Sequence, residues 1–145
     1  MHRRVYLAAL GTATSASLAG CSSAVSSIEG DPCSGEDCHI GMNRTEFLPG
    51  VYEISVGDTV VWKNTSEADH TITAYDGMIP DEADFFATGG FEDQESARNA
   101  WQGQRGGRLG PRETFEHTFD VPGTYEYFCI PHERAEMDGK IVVSE

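Results

Sequence analysis

Three soft-metal donors crowd one short stretch near the C-terminus. In "YFCIPHERAEM", Tyr127 to Met137, Cys129 is followed three positions on by His132 and five beyond that by Met137. A thiol, an imidazole and a thioether at this spacing can curl around a single soft ion. Pro131, directly before His132, stiffens the turn and removes a backbone donor. A thiolate with two imidazoles and a weak axial methionine suits copper cycling between Cu(I) and Cu(II). The stretch therefore needs one more imidazole from elsewhere.

The other histidines are His2, His39, His70 and His117. His2 belongs to a leader, and His39 adjoins a polar segment. His117 lies mid-strand with Phe115 and Phe119 on its face, where packing is the ordinary role of a histidine. His70 opens a strand directly after a loop, which carries it to an end of the domain where loops gather. The fourth donor is therefore expected to be His70.

The elements that must bring these donors together read as β-strands from about Asp37 onward. "HIGMN" and "VYEISV" are short runs ended by the turn signal Gly57-Asp58, and "TVVWKN" follows. A polar loop from Asn64 to Asp69 leads into "HTITAY", where His70, Ile72 and Ala74 share a face. "TFEHTF", the turn "VPG", "TYEYFC" and "GKIVVS" complete the set, and Tyr125, Tyr127 and Cys129 point one way. Cys129 thus ends one strand, and the strand from Gly139 to Ser144 closes a hairpin around the donor loop. Short strands with Gly and Pro turns predict an all-β, antiparallel sandwich. Residues 76–112 form a central insertion, too long for a hairpin loop and too polar for strands. It is expected to hold a short helix over Glu92 to Trp101, with Ala97, Ala100 and Trp101 on one face. Phe85, Phe86 and Phe91 would anchor it, and "QGQRGGRLG" would be loop.

Residues 1–20 are expected to be a signal peptide. Arg3 and Arg4 precede an apolar stretch from Val5 to Leu18, too short and small-residue-rich to span a bilayer that needs about 20 helical residues. "LAGC" resembles a lipobox, which implies cleavage before Cys21 and lipid on its thiol; "RRVYL" also resembles a twin-arginine export signal. Residues 21–37 read as a flexible tether, polar and rich in Ser and Gly, reaching on the order of 20 Å. The domain proper spans 38–145. In an exported protein Cys33 and Cys38 are a possible disulfide; a second metal site with His39 and Met42, or unpaired thiols, are the alternatives.

Loss of the leader removes two arginines and no acid, taking the formal charge from −14 to −16. Such a surface repels nucleic acid. Acid excess with only Lys63 and Lys140 as lysines also resembles proteins of salt-loving microbes.

The run "GDTVVWKN…DHTI…FDVPGTYEYFCIPHERAEMDGKIVV" resembles the blue copper proteins of the plastocyanin and halocyanin group, within the cupredoxins. The resemblance covers about residues 38–145, and "ADFFATGGFEDQESARNAW" looks more like the halocyanin branch than plant plastocyanin. It implies a Greek-key β-sandwich, one type 1 copper held by His70, Cys129, His132 and Met137, and one-electron transfer without enzymatic turnover. It further implies a monomer whose partners are membrane respiratory complexes, a cytochrome complex and a terminal oxidase. Two positions depart from the pattern: Glu136 stands where such families often have Gly, and Thr71 where they often have Asn. His132 is the expected electron exit, with Ile130, Pro131, Met78 and Ile79 as an apolar rim. A copper-delivery protein is the alternative, but it would favour exposed, exchangeable donors. A multicopper enzyme would need His-x-His clusters, which the chain lacks.

Overall fold

The computed structural model describes Cys33 and residues 37–145. The expected leader at 1–20, the lipobox-like Cys21 and most of the expected tether lie outside the described residues. Eight strands are present among those described: β1 (Ile40–Met42), β2 (Phe47–Leu48), β3 (Val51–Ser55), β4 (Thr59–Asn64), β5 (Thr73–Ala74), β6 (Thr114–Thr118), β7 (Gly123–Phe128) and β8 (Asp138–Ser144). One α-helix, α1 (Gln94–Gln104), lies between β5 and β6.

The strands form two four-stranded sheets, ordered β2-β1-β4-β6 and β3-β8-β7-β5. Most pairs are antiparallel, but β1 with β4 and β3 with β8 are parallel, which corrects the expectation of a purely antiparallel sandwich. The reason is the crossover: the chain leaves β1, visits the other sheet at β3, and returns in the same direction at β4. Parallel neighbours need a long connection of this kind. The result is the all-β Greek-key sandwich. Cys33 and Cys38 are joined as a disulfide just ahead of β1, with their Cα atoms 5.2 Å apart.

Strand alternation fills the space between the sheets. Val60, Trp62 and Asn64 of β4 and Tyr125 and Tyr127 of β7 point inward and are buried. The Trp62 ring is the hub, with Tyr127 edge-on at 5.5 Å, Phe115 at 5.7 Å and Phe86 at 6.0 Å. Phe86 belongs to the insertion, so that segment is part of the core. Its backbone also extends the sheet: Ala74 N–H donates to Phe86 O at 3.0 Å and Thr88 N–H to Ile72 O at 2.8 Å.

His117 stacks on Phe86 at 4.8 Å and meets Phe119 edge-on at the same distance. Burial lowers its pKa, against the pull of Asp84 and Asp120. A histidine held neutral in the fold contributes stability that is complete above its unfolded pKa of about 6.5 and declines as pH falls toward the lower folded value. Urea midpoints measured across pH 7 to 4 should therefore fall more steeply for the native chain than for a His117→Phe variant. Parallel curves would remove His117 from the acid response.

Helix α1 begins at Gln94, inside the expected span of Glu92 to Trp101, and ends beyond it at Gln104. Asp93 caps it, its Oδ1 accepting from Ser96 N–H at 2.7 Å. Asp76 and Gln94 lock the start reciprocally, each backbone N–H donating to the other's side chain. The helix continues through Gln104, which the glycine-rich sequence suggested was loop, and stops where Arg105 turns left-handed at φ 55°. Ala97 is buried, whereas Ala100 and Trp101 are only half-buried. The helix lies against the outer face of β5 and β7, where the Arg98 guanidinium sits 4.6 Å over the Phe128 ring.

Candidate metal centre

Inward parity along β7 carries from Tyr125 through Tyr127 to Cys129, so the thiol enters the end of the sandwich fully buried. The following loop folds back on itself. Cys129 N–H donates to Met137 O at 3.0 Å, His132 N–H to Cys129 O at 3.2 Å, and Met137 N–H to His132 O at 3.3 Å. Glu136 takes the left-handed conformation at φ 59°. This accounts for the glycine usual at that position, since glycine enters that region without a Cβ clash.

His70 arrives from 59 residues earlier. It does not open a regular strand; it makes a single bridge with Leu109, exchanging bonds of 3.0 Å and 2.7 Å. This bridge aims the side chain at Cys129. The Cys129 sulfur lies 3.5 Å from His70 Nδ1 and 3.3 Å from His132 Nδ1. One donor atom from each of the three lies within 4.8 Å of the others. Met137, 1% exposed, belongs to the same buried cluster as Cys129.

The tautomer of His70 follows from its neighbours. Asn64 Oδ1 accepts from Ser66 N–H at 3.0 Å and from the Ser66 hydroxyl at 2.7 Å. The Ser66 oxygen, 3.0 Å from His70 Nε2, is then free to accept the Nε2 proton. That leaves the Nδ1 lone pair directed at the sulfur. Asn64 also donates to Ala68 O and Leu109 O at 2.7 and 3.0 Å, so one buried amide shapes the whole approach to His70. The sequence marks Asn64 only as the start of a polar loop; an amide closing a strand before Ser-x-x-x-His is the available signal.

Electrostatics keeps the donors ready. Burial and the neighbouring His132 push the His70 pKa down to about 4, opposed by the Asn43 carbonyl and Asp69. Burial and Arg44 lower that of His132. Both imidazoles are neutral at physiological pH. Burial raises the Cys129 thiol to about 11, against stabilisation by Thr71 and His132. Metal binding must therefore expel the thiol proton.

Thr71 replaces the asparagine with a working substitute. Its N–H donates to Cys129 Sγ at 3.4 Å, and its hydroxyl oxygen accepts from Ile130 N–H at 2.8 Å. One residue thus ties the His70 segment to the donor loop. Thr71→Val keeps the shape and removes the acceptor, and should cost about 1–3 kcal/mol, the penalty for a partly buried amide left unpaired. Chemical denaturation of the metal-free protein measures this, and an unchanged midpoint would mean that water replaces the hydroxyl.

A second tie comes from α1. Arg98 grips Glu133 with two bonds of 2.7 and 2.9 Å, and the Tyr75 hydroxyl lies 3.5 Å from the same carboxylate. No spacing in the sequence announces a pair 35 residues apart. Ile130 and Pro131 are half-buried beside His132, as a rim requires. Met78 and Ile79 are not part of that rim. The next residue, Pro80, sits where a Cβ on Gly123 would lie, and Gly123 opens β7 at the end far from Cys129. The turn at Asp76–Met78 carries the chain away from the donors, because β5 runs antiparallel to β7.

The donor set itself tests which ion fits. Two nitrogens and two sulfurs, largely shielded from water and without a carboxylate, suit copper and disfavour magnesium or calcium. The family model for copper binding proteins of the plastocyanin/azurin family matches residues 36–144. The chain is 33% identical over 98 residues to plastocyanin of Vicia faba, covering 68% of this chain and 87% of that one. It is 30% identical over 145 residues to chloroplastic plastocyanin of Hordeum vulgare, covering 98% and 83%. Among solved structures, the oxidised form of an amicyanin mutant shares the fold at a TM-score of 0.51 and 23% identity, over 72% of this chain and 79% of that one. A fern plastocyanin mutant does so at 0.50 and 21%, over 72% and 98%. With the match running through nearly all the described residues, the chain belongs to the plastocyanin/azurin family of copper-binding electron carriers, whose cofactor is one type 1 copper.

Proposed function

We propose that this chain carries single electrons outside the cytoplasm on one copper held by His70, Cys129, His132 and Met137. A lipid on Cys21 would keep it at the outer face of the cell membrane. The convergence of one sulfur and two Nδ1 atoms at a buried end of the sandwich carries the first part. The lipobox-like "LAGC" and the polar segment after it support the second, and the Cys33–Cys38 disulfide fits an oxidising compartment. The insertion favours the halocyanin branch, and the acid-rich, lysine-poor composition favours a salt-loving source. Electron donor and acceptor would be membrane respiratory complexes, a cytochrome complex and a terminal oxidase, met by a monomeric carrier.

Bound copper supplies a one-electron couple whose two states ordinarily prefer different geometries. The protein's part is to keep the donors still. Backbone bonds close the loop from Cys129 to Met137, Thr71 joins that loop to His70, and Ser66 holds the His70 ring. His70, Cys129 and Met137 are shut off from water, while the half-buried His132 offers the ring edge nearest to solvent. Burial of three donors also favours retention over delivery.

The copper-loaded chain should be intensely blue and give a reversible one-electron voltammogram; a colourless Cu(II) form would exclude the site. Cys21→Ser should move the protein from the membrane fraction to the soluble one. Continued retention would remove the anchor from the proposal.

A further inference from the structure

Two Asn-x-Ser/Thr triplets occur in the chain, Asn43-Arg44-Thr45 and Asn64-Thr65-Ser66. In a protein outside the cytoplasm this pattern is the acceptor for N-linked sugar, provided that the asparagine lies in a surface loop. The fold treats the two triplets in opposite ways.

Asn43 opens the turn between β1 and β2. Its N–H donates to Glu46 O at 3.0 Å, and its side-chain Oδ1 accepts from Thr45 N–H at 2.9 Å and Glu46 N–H at 2.7 Å. The carboxamide is thus held by its oxygen. The nitrogen Nδ2 donates at the surface to Glu46 Oε2 at 3.1 Å, a contact between exposed groups that is readily given up. Arg44 and Glu46 are exposed, and Asn43 and Thr45 are half-buried between them. Asn64 has no such freedom. It is 0% exposed, and its Nδ2 is committed to Ala68 O at 2.7 Å and Leu109 O at 3.0 Å. Sugar on that nitrogen would break the bonds that shape the approach to His70.

We infer that Asn43 is a site of N-glycosylation, that its donor is a saccharide linked to a lipid phosphate, and that Asn64 is spared because the chain is modified folded. In the transfer, Nδ2 bonds to the anomeric carbon of the saccharide as the bond from that carbon to the phosphate oxygen breaks. The lipid phosphate leaves with the electron pair, one Nδ2 proton passes to a base of the transferase, and nothing is oxidised or reduced. Room for the first sugar lies next to the turn. Thr65 donates to Met42 O from its N–H at 3.2 Å and its hydroxyl at 3.0 Å, which draws the following loop alongside. Between them is an open hollow of about 300 Å³ lined by Arg44, Ser66, Glu67 and Ala68, with charged groups that can bond sugar hydroxyls. The inference goes beyond the electron-carrier reading and rests only on its export part, which the Cys33–Cys38 disulfide supports.

The test uses the full chain isolated from membranes of its native host, reduced and cut after glutamate. The two triplets then fall on separate peptides, 37–46 and 54–67. Mass spectrometry should find 37–46 heavier by whole sugar residues and 54–67 unmodified. Asn43→Gln and Thr45→Ala should each remove the added mass, while Thr45→Ser, which keeps the triplet, should retain it. Added mass that persists in Thr45→Ala, or sugar on 54–67, overturns the inference. Protease added to intact cells separates it from the export reading. A chain cleaved under those conditions but bare at 37–46 overturns the glycosylation and leaves export standing. A chain cleaved only after lysis overturns export, and the glycosylation with it.

Discussion

Cys129→Ser is expected to abolish the blue colour completely and to lower copper affinity by well over about 100-fold, because losing an outer-sphere partner alone costs 10–100-fold. The sulfur is the donor that both Nδ1 atoms face, at 3.5 and 3.3 Å, and the only free cysteine among the described residues. A serine hydroxyl is nearly isosteric and can still accept the Thr71 N–H, so the fold should persist. It does not ionise at neutral pH, and it cannot supply the sulfur-to-copper charge transfer that gives the colour. Absorption spectroscopy and metal titration on the variant decide the matter. A variant that stayed blue would mean that another thiol serves the ion.

Phe86→Ala should be strongly destabilising, at about 3–5 kcal/mol, the usual cost of emptying an aromatic site in a core. In a domain of this size that lowers the melting temperature by roughly 15 °C or more. The ring stacks on Trp62 and His117 and meets Phe119 edge-on at 5.4 Å. Its backbone lies beside Ala74, and Thr88 donates to Ile72, so loosening this segment should also free one flank of the stretch that delivers His70. Hydrogen exchange should show the Ala74 and Thr88 amides losing protection together with the thermal shift. A loss below about 1 kcal/mol would mean that the insertion is merely draped over a core complete without it.

The donor loop was legible because its chemistry is local. Cys129, His132 and Met137 sit within nine positions, and the loop between β7 and β8 needs only the alternation of Tyr125, Tyr127 and Cys129 to aim the thiol inward. His70 could be reached by eliminating the other histidines, and the stacking of His117 on Phe86 supplies the physical ground for setting that residue aside. Strand periods were legible for the same reason: burial on one face writes itself every second residue. What escaped was non-local. Asn64 works through backbone carbonyls at Ala68 and Leu109, and Arg98 finds Glu133 across 35 residues. The helix overran its expected end because Gly103 costs only about 1 kcal/mol in a helix, too little to stop it before a left-handed Arg105 could. Parallel pairing of β1 with β4 leaves no trace in either strand's own pattern.

That parallel pairing fixes where the chain joins the domain. Strand β1 runs beside β4 toward Asn64, with His39 N–H bonded to Val61 O, so Cys38 and its disulfide stand on the Thr59 side. The N-terminal segment therefore enters the sandwich at the pole remote from His70 and Cys129, and a load applied to that segment reaches the donors only through the length of both sheets.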